Sequence, residues 1–146
     1  MQGLRVQNME PWQKLAMVED ILFRAAEHIG DITGPVMENF YNRSEGGRAL
    51  FELHSRHMNQ LDGLMVEQSV YCLMQWFRSP GEIEILLHDT VPHHKEILNI
   101  PTSAYKDLLL ATADIIAGSI PARNNVEKAL WTELCEQLLN AVEESD

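Results

Sequence analysis

The stretch His93-His94-Lys95-Glu96-Ile97-Leu98-Asn99-Ile100-Pro101-Thr102-Ser103-Ala104-Tyr105 sets two adjacent imidazoles ahead of an Ile-Pro corner, with a long apolar segment beyond it. Imidazole suits a metal because one neutral ring nitrogen donates to the ion while a hydrogen-bond acceptor holds the other. The plainer reading is a pair of partly exposed histidines in one turn of a helix. The chain on either side has to decide between them.

After the corner, Thr102 is expected to cap a helix whose stripe is Tyr105, Leu108, Leu109, Ile115 and Ile116, with Thr112 as its polar member; Gly118 to Pro121 ends it. Asn124 or Asn125 starts a last helix to about Val142, with Ala129, Leu130, Leu134, Leu138 and Ala141 on one side and Trp131 and Cys135 alongside. Before the corner, Pro92 and Thr90 predict that the histidine segment is two short pieces, one over 82–88 and one capped by Thr90. Further upstream, a buried helix is expected over 58–77, with Leu61, Leu64, Met65, Cys72, Leu73 and Trp76 near one face. Ser44-Glu45-Gly46-Gly47 ends a helix over 32–43, and Pro11 opens the first helix, to about His28. Strand-like alternation is nearly absent, so the fold class is all-α.

Composition narrows the functions open to such a domain. At 146 residues the chain is expected to form one domain, residues 1–146, large enough for a real core. Eleven Lys and Arg against 22 Asp and Glu give a net charge of -11, with no basic stripe to neutralise a row of phosphates. Nucleic acid and anionic membrane are therefore poor partners. Cys72 and Cys135 lie far apart within apolar helical patterns, which suits a reducing compartment, and no window is apolar enough to span a bilayer. The opening residues carry no leader-like apolar run, so a soluble, cytoplasmic protein is expected.

Read together, these helices resemble the globin family, and within it the single-domain bacterial globins and the haem domain of flavohaemoglobins. Phe40-Tyr41 followed by Arg48-Ala49-Leu50-Phe51 is similar to the family's second helix and the phenylalanine that stacks on haem. Counting on without a gap, Leu61 falls at the distal position, Met65 one turn later over the iron, and His93 at the proximal ligand. The corner before Tyr105 is similar to the family's passage into its next helix, where a tyrosine supports the proximal histidine. Trp131 stands where similar bacterial globins carry a tryptophan.

The resemblance implies a 3-on-3 globin-like fold holding haem b, with His93 on the iron and Phe51, Leu61, Met65, Tyr105 and Met37 around it. His93 stands further from Tyr105 than is usual in flavohaemoglobins, so His94 is the alternative ligand. Met37 and Leu61 occupy the positions where flavohaemoglobins carry a tyrosine and a glutamine. Such a pocket lacks the hydrogen-bond donor that favours dioxygen over carbon monoxide and nitric oxide. Met65, His54 or His57 could approach the sixth position and Lys95, Arg48 or Arg56 could pair with the propionates, against the plainer readings of core packing for Met65 and solvated surface cations for the lysine and arginines.

The implied function is binding of a diatomic gas (oxygen, nitric oxide or carbon monoxide) for sensing, storage or detoxification. Scavenging of nitric oxide or peroxide is the enzymatic activity left open. Two other readings compete with it: a haem-free globin-like sensory or protein-interaction module, and a non-haem metal site using His88, Asp89, His93 and His94. Any apolar stripe left on the last two helices would make a helix-paired homodimer reasonable.

Overall fold

The computed structural model describes residues 5–44, 58–97 and 99–146, with 58–62 described by their backbone alone. Six α-helices follow a short 3-10 turn at Val6–Asn8, and no strand occurs among the described residues. They are α1 (Pro11–Ile29), α2 (Thr33–Arg43), α3 (Met58–Gln75), α4 (Pro80–Glu96), α5 (Thr102–Ala117) and α6 (Asn125–Glu144). The all-α expectation is met. No helix among the described residues is long and apolar enough to cross a membrane.

Most helix ends follow local chemistry. Pro11 opens α1, where its missing N–H costs nothing, and the Glu10 amide donates to Gln13 Oε1 at 2.8 Å. Gly30, at φ 74°, ends α1 in the left-handed region that favours glycine. Asp31 Oδ1 then accepts the Thr33 amide at 3.0 Å and starts α2. At α6, the Asn124 side chain accepts the Glu127 amide at 3.0 Å.

Two ends depart from expectation. The histidine segment is one helix, α4, running through Pro92. Ile83, Leu87 and Val91 form a continuous buried stripe at four-residue spacing, and that burial outweighs the helix hydrogen bond Pro92 cannot make. Thr90 does not cap, because its hydroxyl donates to the Leu86 carbonyl of the preceding turn at 3.0 Å. Likewise Pro101 is the N-cap of α5, and Thr102 is a buried first-turn residue beside the Asp146 carboxyl.

The main core joins α1, α3, α4, α5 and α6 through Ile21, Leu73, Ile83, Leu87, Ile116, Leu130, Leu134 and Leu138, all essentially inaccessible to water. Trp131 seats its indole here, with Nε1 donating to the Ala113 carbonyl at 3.0 Å. Thr112, the polar member of the α5 stripe, returns its hydroxyl to the Leu108 carbonyl at 2.9 Å and so is buried without an unmet donor. A smaller cluster, Val36, Met37, Phe40, Val66, Leu108 and Ala111, lies where α2 packs on α3 and α5. Leu64, expected on the buried face of α3, is 62% exposed, and Trp12 of α1 is 69% exposed. Of the residues expected on that face, Cys72 and Leu73 on α3 and Trp76 in the turn after it are buried, together with Val66 and Ser69.

Candidate functional site

A cleft opens at the edge of the smaller cluster, between the last turns of α4, the start of α5 and the middle of α3. Its α4 wall is His94, its α3 wall Met65, Gln68 and Ser69, and α2 contributes Phe40. The corner and α5 close it with Ile100, Ala104, Tyr105 and Leu108. The corner is held by the Ile100 amide, which donates to the His94 carbonyl at 2.8 Å, and by Asn99 at φ 55°, a conformation asparagine tolerates better than most residues.

His94 is fixed on two sides. Nδ1 lies 2.7 Å from the Thr90 carbonyl, a contact in which Nδ1 donates, so that in the neutral ring the lone pair sits on Nε2. The Tyr105 ring meets the imidazole edge-on, with centroids 5.4 Å apart and an angle of 81°. Because the Thr90 hydroxyl donates to Leu86, its oxygen is left to accept from the Tyr105 hydroxyl at 3.2 Å. Burial pushes the Tyr105 phenol up to about 12, so it stays neutral and able to donate.

The residues singled out in the sequence fall in different places. Met65 and Tyr105 line the cleft, and Met37 is buried in the adjoining cluster one turn from Phe40. His93 is exposed and does not line the cleft, because consecutive helical residues point about 100° apart. His94 is the histidine of the pair that faces it. Phe51, Arg48, His54, Arg56 and His57 lie outside the described residues, and so does the side chain of Leu61. Lys95 pairs with Asp146 at 2.6 Å.

Sequence reasoning missed Phe40 as a wall, and also Gln68 and Ser69. Two residues with polar side chains therefore lie along a wall expected to be apolar. Their signal was helical spacing, since residues three and four beyond Met65 share its face.

The donor chemistry fits an iron porphyrin: one imidazole with a free Nε2, its other nitrogen held by a carbonyl, and apolar side chains around it. The room does not. The cleft holds about 30 Å³, space for a water or a diatomic, whereas cofactor-sized sites run to roughly 300–1,000 Å³. A porphyrin on His94 therefore requires the α3 and α4 walls to part.

No group of three or more His, Cys, Asp or Glu among the described residues is placed to hold a metal ion, which removes support from the site built on His88, Asp89, His93 and His94. Burial raises the Cys72 thiol to about 11 and the Cys135 thiol to about 12, so neither offers a thiolate near neutral pH. Comparison with known proteins finds no matching family model, no matching curated protein and no matching solved structure.

Proposed function

We infer that this chain is a globin-like protein of the 3-on-3 type that holds haem b on His94 and binds a diatomic gas in the cytoplasm, for sensing, storage or detoxification. The observation that carries the reading is the 2.7 Å contact of His94 Nδ1 with the Thr90 carbonyl. It fixes the tautomer and ring plane that a proximal ligand needs, while Nε2 stays free. Haem held on His94 would supply the iron at which the gas binds. Around it, Tyr105 limits rotation of the imidazole, and Phe40, Met65 and Leu108 keep water out. Gln68 and Ser69, along the α3 wall, are the residues able to donate to a bound gas. A polarised ligand such as dioxygen gains more from them than carbon monoxide does.

A second reading, a haem-free globin-like interaction module, is favoured by one observation, the cleft of about 30 Å³. Absorption spectra after hemin addition separate the two. The haem reading expects a Soret band in wild type and in His93→Ala, and its loss in His94→Ala. A band lost in His93→Ala and kept in His94→Ala would transfer the ligand to His93. Absence of a band in wild type would leave the haem-free module.

A further inference from the structure

A groove of about 490 Å³ runs along the outer side of α5 and α6, away from the His94 cleft. Buried Trp131 and Ile120 and half-buried Leu139 give it an apolar floor, and Lys128, Thr132 and Glu136 stand exposed along its α6 edge. Lys128, Thr132 and Glu136 are spaced at four residues and share one helical face. Thr132 is the midpoint, with a cation one turn before it and a carboxylate one turn after.

That order is self-complementary. If two copies of α6 lie antiparallel about a two-fold axis through Thr132, each Lys128 meets the other copy's Glu136, and the two short Thr132 side chains meet at the axis. We propose that the α5–α6 groove is the interface of a two-fold homodimer in which α6 packs antiparallel on its own copy, centred at Thr132. An interface of this kind is isologous, with an apolar centre and a charged rim. The chain's net charge of -11 opposes association of two copies, but the edge itself carries one charge of each sign, and Asp114 on the opposite edge is already paired with Arg43. In the monomer Lys128 Nζ donates to the Ala122 carbonyl at 2.6 Å, a contact at an exposed lysine that can exchange for a carboxylate.

Sedimentation over a range of protein concentrations tests the pairing with a charge swap. Wild type is expected to dimerise. Lys128→Glu and Glu136→Lys each place like charges opposite one another twice and weaken the dimer by roughly tenfold or more. The double variant Lys128→Glu/Glu136→Lys restores it. These residues are exposed, and unchanged far-UV circular dichroism checks that each variant folds. In a Cys135→Ser background, Thr132→Cys is expected to give a disulfide-linked dimer on oxidation, seen on a non-reducing gel. Wild type that stays monomeric at every concentration overturns the proposal, as does failure of the double variant to recover what each single variant lost. Neither outcome bears on haem binding, which uses the opposite side of α5.

Discussion

Around Leu130, Leu134 and Leu138 the interior is filled by Ile21, Leu73, Ile83 and Leu87, whereas around Phe40 and Val66 it ends at a cleft carrying His94, Tyr105, Gln68 and Ser69. The same two helices serve both regions. The second half of α3 gives Cys72 and Leu73 to the large cluster, joined by Trp76 just past its end, and its middle gives Val66 to the small one and Met65 to the cleft. On α5, Leu109, Ala113 and Ile116 face one way, and Leu108 and Ala111 the other. The two clusters thus draw on different faces of the same helices, with Tyr105 packed against the large cluster and also lining the cleft. The large cluster joins five helices, and on the proposed function the smaller one is the part that has to give way around a ligand.

Substitutions test that separation. Leu134→Ala removes a fully buried side chain from the large cluster and should cost about 2–5 kcal/mol in urea unfolding. Met37→Ala, beside the cleft where neighbours can relax, should sit at the low end, about 2 kcal/mol; an equal or larger loss would erase the contrast. Arg24→Ala leaves Glu127, 5% exposed, without the two guanidinium hydrogen bonds at 2.7 and 3.0 Å. A loss of about 1.5–3 kcal/mol is expected, with no effect on hemin uptake.

Tyr105→Phe keeps the ring against His94 and removes only the hydroxyl's bond to Thr90. It should cost about 1 kcal/mol while changing the spectrum of hemin-loaded protein. A variant with unchanged spectrum and a large stability loss would make Tyr105 a core residue only.

The smallest effect is at the chain's last described contact. Asp146 is held below its ordinary value of 3.8 by Lys95 and Thr102. A depressed carboxylate pKa adds stability above the unfolded value and loses it as pH falls through the folded one. Melting temperature should therefore drop less steeply in Lys95→Gln than in wild type on acidification below about pH 4.

The sequence made the helices readable because their ends carry strong local signals: Pro11 and Gly30 for α1, Asn124 for α6. Periodicity alone misread α4, since a proline and a threonine together look like a break, and only the buried stripe of Ile83, Leu87 and Val91 shows what carries the helix through. The site was readable as a histidine beside Tyr105, but which of two adjacent imidazoles faces inward depends on helix rotation, which tertiary packing sets. Gln68 and Ser69 were hidden for the same reason: a polar pair on a long helix looks solvated until its neighbours are known.

Hydrogen exchange with and without hemin tests most directly whether the cleft, and not the large core, is the ligand-responsive region. Amides of Met65–Ser69 and of the last turn of α4 should gain protection, with Leu130–Leu138 unchanged. Protection gained equally along α6, or none at the cleft although hemin is bound, would contradict it.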